Sequence, residues 1–122
     1  MPYLIQKKAD GTTIREWDLA GKPLSVGRGE NVGAQIDDEA MSRQHFRISP
    51  GAAGYVIGDL GSTNGTFVNG LRITTQPLKP NDLIRAGDSH FVFVDGLQTV
   101  VRQLEKDDRH LSTFIQGMDK KP

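Results

Sequence analysis

The sequence contains no cysteine. A disulfide framework, a thiolate metal site and a cysteine nucleophile are therefore excluded. The absence of cysteine also fits a protein that works in a reducing compartment. The 122 residues, of which 36% are hydrophobic, suffice for one domain with a single core and leave no room for a second domain of similar size.

Long hydrophobic runs and an excess of charge of one sign are also missing. No stretch approaches the length of a membrane span, and the N-terminus lacks the apolar core and cleavage site of a secretory signal peptide. The 15 basic residues balance the 15 acidic ones, which leaves no broad charged surface for nucleic acid or for an anionic membrane. We therefore expect a soluble cytoplasmic protein that binds neither, and any anion must be bound locally.

One polar stretch, residues 60–70, carries two Asn-Gly pairs, Asn64-Gly65 and Asn69-Gly70. Asn-Gly flanked by apolar residues is a strong signal for a tight turn, because both residues tolerate positive φ. Residues 61–64 are small or carry short hydrogen-bonding groups, a composition that suits an exposed binding surface better than a core. The stretch is therefore predicted to be a loop of fixed shape.

Short runs of β-favouring residues recur along the first 95 residues and are separated by glycine, proline, asparagine and aspartate. Trp17 lies in one of them and could be a stacking platform for a ligand, but we expect a core residue there. The prolines of residues 74–80 predict a loop or an edge strand. Strands are predicted for residues 3–8, 13–19, 22–26, 34–36, the run around Phe46 and Ile48, 55–57, 66–68, 71–73, 82–86 and 89–94.

Three short motifs follow one another at a characteristic spacing: Gly27-Arg28, then Ser42-Arg43-Gln44-His45, then Asn64-Gly65. In this order, and with Asp59-Leu60 and Gly87-Asp88 around them, they resemble the forkhead-associated (FHA) domain. The resemblance covers roughly residues 3–95. It implies an all-β fold, a two-sheet antiparallel β-sandwich of about 10–11 short strands, with a domain over residues 1–95.

The resemblance also implies roles for individual residues. In this family the arginine that matches Arg28 contacts a phosphate directly, and a guanidinium suits bidentate contact with phosphate. The serine that matches Ser42 donates a hydrogen bond to the phosphate, Thr63 supplies a further donor, and Asn64 contacts the ligand backbone. Arg43 is predicted to be a secondary contact. Structural support of the site is assigned to Gly27, His45, Gly65 and Asn69.

The function implied by the resemblance is phosphothreonine-dependent binding of a partner protein, downstream of a Ser/Thr kinase. It implies neither catalysis nor a cofactor. The preference for threonine over serine comes only from the family. In this family the loop before the serine often influences ligand selection, and here Asp38, Glu39 and Ala40 provide no basic residue in that loop. Acidic residues downstream of the phosphothreonine are therefore not expected to be favoured.

Two other functions compete with this interpretation. Ser42 and His45 could form a nucleophile and base, but no recognisable motif places an acidic residue to orient the imidazole, and no Gly-x-Ser-x-Gly elbow is present. Alternatively, the chain could be a phosphate-independent scaffold or dimerisation protein that uses a sandwich face or its C-terminal segment. The complete set of Arg28, Ser42, Thr63 and Asn64 argues against this alternative.

Residues 96–122 are predicted to form a C-terminal α-helical extension. Asp95 to Gln98 has the spacing of a capping box, and apolar residues recur at helical spacing after it. The run 91–94 is apolar on both faces, so the helix could cover the outer face of its own sandwich. It could instead form a coiled coil or connect to another module, because four apolar residues lie seven apart: Leu97, Leu104, Leu111 and Met118. The second interpretation leaves a homodimer or an adjoining domain open.

Overall fold

The computed structural model describes residues 2–95, which fold into eleven short β-strands. The predicted C-terminal helix falls on residues 96–122, outside the described residues. The strands are β1 Tyr3–Lys7, β2 Thr13–Asp18, β3 Leu24–Gly27, β4 Ala34–Gln35, β5 Phe46–Gly51, β6 Gly54–Asp59, β7 Thr66–Val68, β8 Leu71–Ile73, β9 Thr75–Pro77, β10 Leu83–Ala86 and β11 Ser89–Val94.

The strands form two sheets. One has six strands in the order β2-β1-β11-β10-β7-β8, and the other has five in the order β4-β3-β5-β6-β9. The prediction of a purely antiparallel sandwich is wrong at one place, because β3 and β4 pair in parallel, with Val26 beside Ala34. A loop of six residues, 28–33, makes this connection, which is possible because β4 is only two residues long.

The core lies between the two sheets and follows from the alternation of side chains along each strand. Phe46 and Phe91 meet edge to face across it, with their ring centroids 5.5 Å apart. Trp17 is partly buried against this core, 6.5 Å from Phe91 between centroids, as predicted.

Two prolines lie inside strands without breaking them. Pro77 belongs to β9, the edge strand beside β6, which confirms one of the two predictions for this segment. Pro50 lies near the end of β5 and pairs with Tyr55 of β6. The pairing of β5 with β3 on its other side ends at Ile48, so no ladder partner needs the N–H that proline lacks.

The strand register gathers particular turns at each end of the sandwich. Thr66 at the start of β7 pairs with Ala86 at the end of β10. The loop that precedes Thr66 therefore lies at the same end as the turn that joins β10 to β11. Backbone hydrogen bonds hold the segments around Gly27 and Ser42 at this same end of the sandwich. The Asn69-Gly70 turn lies at the opposite end of β7.

Candidate functional site

Arg28 stands directly after β3, at the end of the sandwich where several loops meet. Its backbone N–H donates to the carbonyl oxygen of Ser42 over 2.9 Å, and its side-chain Nε donates to the carbonyl oxygen of Met41 over 3.0 Å. Neither terminal guanidinium nitrogen donates to any group among residues 2–95, and the residue is exposed. The guanidinium is thus held at Nε, and its two terminal nitrogens remain available to a ligand.

Gly27 is required here because two chain segments approach closely. A Cβ atom at this position would lie 2.1 Å from the carbonyl oxygen of Arg43. Just beyond it, the N–H of Gly29 donates to the same carbonyl over 3.0 Å. The resemblance assigned Gly27 to structural support of the site, and the structural reason for glycine is the tight contact between the end of β3 and the segment around Ser42.

The Ser42 hydroxyl is oriented by the backbone of a different loop. Its Oγ accepts a hydrogen bond from the N–H of Thr63 over 3.0 Å. The proton of the hydroxyl has no acceptor among residues 2–95 and is therefore available to a ligand. The Thr63 side chain is exposed beside it.

His45 is fully buried and joins two loops through both ring nitrogens. Nδ1 lies 3.0 Å from the N–H of Ser42 and Nε2 lies 2.8 Å from the carbonyl oxygen of Gly65. Because an N–H can only donate and a carbonyl can only accept, Nδ1 is the acceptor and Nε2 carries the proton. Both nitrogens are occupied by backbone groups rather than by the Ser42 hydroxyl, so this geometry gives no support to a Ser-His nucleophile pair.

Asn64 and Gly65 complete the loop before β7. The Asn64 Nδ2 group donates to the carbonyl oxygen of Ala40 over 2.8 Å. This bond ties the loop to residues 37–41, the acidic loop that precedes Ser42. Gly65 is buried with φ of 90°, a conformation that favours glycine. A Cβ at Gly65 would also lie 2.7 Å from Nε of Arg72. The predicted loop of fixed shape is therefore present.

Asp59 organises this same loop, a role that sequence reasoning missed. Its Oδ1 accepts from the hydroxyls of Ser62 over 2.6 Å and Thr66 over 2.7 Å. Its Oδ2 accepts from the N–H groups of Gly61 and Ser62, each over 3.0 Å. An aspartate followed by small polar residues is the signature of a side-chain-capped turn and could have revealed this role.

Asp38 anchors the acidic loop in a similar way. Its Oδ2 accepts from the N–H of Asp88 over 2.8 Å and from the hydroxyl of Ser89 over 2.7 Å. Its Oδ1 accepts from the N–H of Ala40 over 2.9 Å. The carboxylate therefore fixes the loop that precedes Ser42 to the turn between β10 and β11.

Both carboxyl groups have a lowered pKa. Burial raises the pKa of Asp59, but the hydrogen bonds from Ser62, Thr66 and Gly61 outweigh burial and hold it below the ordinary value of 3.8. For Asp38, burial again raises the pKa, and the hydrogen bonds from Ser89, Ala40 and Asp88 more than offset this effect. Both groups are thus ionised acceptors that fix the loops at neutral pH.

The FHA domain family matches residues 24–87 of the chain. The chain belongs to this family. The matched segment contains the loops of Arg28, Ser42 and Asn64, and the resemblance found in the sequence is confirmed.

Several known proteins resemble the chain over three quarters or more of its length. It is 34% identical over 102 residues to the ABC transporter ATP-binding/permease protein Rv1747 of Mycobacterium tuberculosis, an alignment that covers 84% of this chain and 11% of that protein. A solved FHA domain studied for phosphothreonine-dependent interactions is 29% identical, with a TM-score of 0.69 over 77% of this chain and 95% of that one. EmbR of Mycobacterium tuberculosis, solved with a low-affinity phosphopeptide, is 33% identical, with a TM-score of 0.68 over 76% and 24% of the two chains.

The FHA fold brings together most of the residues singled out in the sequence. The loops that carry Arg28, Ser42, Thr63 and Asn64 are joined by the hydrogen bonds described above. The side chain of Arg43 is exposed next to them and lines a shallow groove with Glu30, Asn31 and Gln44.

Asn69 is not part of this group. It has φ of 51° in the turn after β7, at the far end from the site. Its Nδ2 donates to Asp82 over 2.9 Å and its Oδ1 accepts from the N–H of Leu83 over 3.0 Å. Asn69 therefore fixes the opposite end of the sandwich, and its predicted role in the site has no contact to support it.

Two kinds of site are absent from residues 2–95. In that part of the chain, no three histidine, aspartate or glutamate side chains are placed to hold a metal ion. A helix long and apolar enough to cross a membrane does not occur in that part either.

Proposed function

We propose that this FHA domain binds a phosphothreonine of a partner protein through the loops at one end of its sandwich. The observation that carries the proposal is the orientation of Arg28, whose Nε is held by the Met41 carbonyl while both terminal nitrogens stay available. The loop of Arg28 is bonded to Ser42, and the Ser42 hydroxyl is in turn held by the Thr63 N–H. Donors from three loops thus converge on one region.

This arrangement suits the chemistry of a phosphate. A phosphothreonine carries a charge of roughly −1.5 to −2 at neutral pH and three strong acceptor oxygens. The Arg28 guanidinium can contact two of these oxygens. The Ser42 hydroxyl proton and the exposed Thr63 hydroxyl supply neutral donors. Asn64, adjacent to Thr63, is placed to contact the ligand backbone and fix its register.

The energetic contribution of these donors is large enough for discrimination. Hydrogen bonds to a charged group contribute roughly 1.5–3 kcal/mol each. Two or three of them would separate a phosphorylated ligand from its unphosphorylated form by two or more decades in affinity. The phosphate would therefore decide whether a ligand binds.

The relatives support the same function. A neighbouring structure at 29% identity comes from an FHA domain with phosphothreonine-dependent interactions, and EmbR was solved with a phosphopeptide. A phosphorylated ligand requires a Ser/Thr kinase upstream of this protein. Asp37 and Glu39 are exposed in the loop before Ser42, and their charge would disfavour acidic ligand residues downstream of the phosphothreonine.

Titration calorimetry with an oriented phosphothreonine peptide library and its unphosphorylated twin tests the proposal. Binding should require the phosphate, and Arg28→Ala should weaken it by about 2 kcal/mol or more. Arg47→Ala is the matched control, because Arg47 is an exposed arginine on β5, away from the loops. A folded wild-type protein without phosphate-dependent binding would overturn the proposal.

A further inference from the structure

The six-stranded sheet turns an apolar row away from the core. The strand register places Ile5 beside Val92 and Val92 beside Leu83, and residues paired in this way share one face of the sheet. Their neighbours Leu4 and Phe93 lie in the core on the other face. Leu83 is 58% exposed. We call this side of the sheet the outer face.

A basic row crosses the outer face two residues along the strands from the apolar row. Lys7 pairs with His90, His90 with Arg85, and Arg85 with Phe67, which pairs in turn with Arg72. The Arg85 guanidinium lies over the Phe67 ring, 4.1 Å from its centroid. A groove of about 1180 Å³ runs along both rows. The surface thus combines an apolar strip with a band of positive charge, which suits an amphipathic segment with acidic residues.

We propose that residues 97–108 of this same chain cover the outer face as an amphipathic helix. The chain leaves β11 at Val94, which itself lines the groove, and Gly96 permits a reversal onto the sheet. Apolar residues at helical spacing come first in the segment, at Leu97, Val100, Val101 and Leu104, and acidic residues follow at Glu105, Asp107 and Asp108. Apolar residues precede acidic ones along the segment, just as the apolar row precedes the basic row on the outer face when both are followed from Val94.

The dimensions of the two elements agree. Residues two positions apart along a strand are about 7 Å apart. His90, in the basic row, is four positions from Val94, so the basic row lies about 14 Å from Val94. A helix rises 1.5 Å per residue, so Asp107 would stand about 15 Å beyond Leu97. The apolar half of the segment would cover Ile5, Val92 and Leu83, while its aspartates would reach the basic row.

The same aspartates distinguish this occupant from a coiled coil of two chains. Asp108 falls within the apolar stripe of the segment, where a coiled coil would bury it between two helices. On the outer face it would meet Lys7 and Arg85 instead, where opposite charges attract. Covering the face would also remove the exposed Leu83 side chain from water.

Paramagnetic NMR on the full chain tests the proposal without any phosphopeptide. Because the sequence has no cysteine, Gln103→Cys gives a single position for a nitroxide label. The label should erase the methyl signals of Val92 and Leu83. It should attenuate the methyl signals of Ile48 and Ile57, which lie in the other sheet, much more weakly. The comparison is with the same sample after the nitroxide has been reduced to its diamagnetic form. Equal Val92 and Leu83 signals with the oxidised and the reduced label would overturn the proposal.

Two further measurements identify the occupant. In the first, chains that carry the nitroxide but no isotope are mixed with isotope-labelled chains that carry no nitroxide. The NMR signals should be unchanged in this mixture. Signal loss would show that a second copy of the chain covers the outer face instead. Leu104→Asp, within the stripe, should abolish the signal loss in the labelled chain. Thr99→Asp, on the opposite side of the predicted helix, should preserve it. Retention of the effect in both variants would contradict docking through the stripe.

Discussion

His45 Nε2 lies 2.8 Å from the carbonyl oxygen of Gly65 and joins two loops that are 20 residues apart in the chain. The other ring nitrogen accepts from the N–H of Ser42, so one buried side chain positions both the hydroxyl-bearing residue and the loop of Thr63. These contacts give His45 a structural role, which is why a histidine at this position needs no part in catalysis.

His45→Ala should lower the free energy of unfolding by roughly 2–4 kcal/mol, because it leaves a buried cavity and deprives two backbone groups of their partners. Phosphopeptide affinity should fall as well, since the Ser42 and Gly65 segments lose their link. Urea denaturation of the full chain measures the first effect. The control is Arg47→Ala, an exposed residue on β5 whose loss should change stability little. Equal stability of the two variants would contradict this role.

Gly27→Ala should destabilise the protein by roughly 1–3 kcal/mol, because its methyl group would overlap the Arg43 carbonyl oxygen and force the two segments apart. The displacement would move Arg28 as well, so affinity for a phosphopeptide should fall with stability. Gly58→Ala is the matched control, since a Cβ there meets no atom closer than 3.9 Å. Thermal denaturation compares the two variants, and a wild-type midpoint for Gly27→Ala would rule out the steric explanation.

Most of the fold could be predicted from the sequence because the strands are short, alternate in polarity and end at turn-forming residues. Each of the eleven observed strands overlaps a predicted segment, although β3, β5 and β6 extend beyond the predicted bounds. The prolines of residues 74–80 indicated a loop or an edge strand, and β9 is an edge strand. The parallel pairing of β4 could not be predicted, because two residues, Ala34 and Gln35, carry no periodicity from which a pairing direction could be inferred.

The candidate site could be predicted only in part, because a motif gives residue types and order but not contacts. Asp59 and Asp38 were overlooked for this reason, since their roles depend on which backbone N–H groups their oxygens reach. Asn69 was assigned to structural support of the site by resemblance to the family, yet β7 separates it from the site and places it at the other end of the sandwich.

Ser42→Ala should weaken phosphopeptide binding about tenfold to a hundredfold, because it removes one hydrogen bond to a charged ligand, worth roughly 1.5–3 kcal/mol. Stability should change little, since the Thr63 N–H that it leaves without an acceptor is exposed and can bond to water. Calorimetric titration and urea denaturation together separate the two effects. Ser49→Ala, on β5 away from the loops, should alter neither. Unchanged affinity in Ser42→Ala would exclude the hydroxyl as a phosphate donor.

Acid should destabilise the protein through Asp59 and Asp38. The folded-state pKa of each carboxyl lies below 3.8, so in acid the unfolded chain takes up protons that the folded chain does not. The stabilising contribution is therefore complete above the unfolded-state pKa and is lost as the pH falls through the folded-state pKa.

Asp59→Asn should make this acid dependence shallower and should already lower stability at neutral pH, because an amide has one acceptor oxygen where the carboxylate uses two. Urea denaturation at several pH values between about 5 and 3 measures the slope of unfolding free energy against pH. Asp37→Asn is the matched control, because this exposed carboxylate accepts no hydrogen bond from residues 2–95, and it should keep the wild-type slope. If Asp59→Asn kept that slope too, the loop would not depend on the ionised carboxylate, and its shape would have to come from the Asn64 and His45 contacts alone.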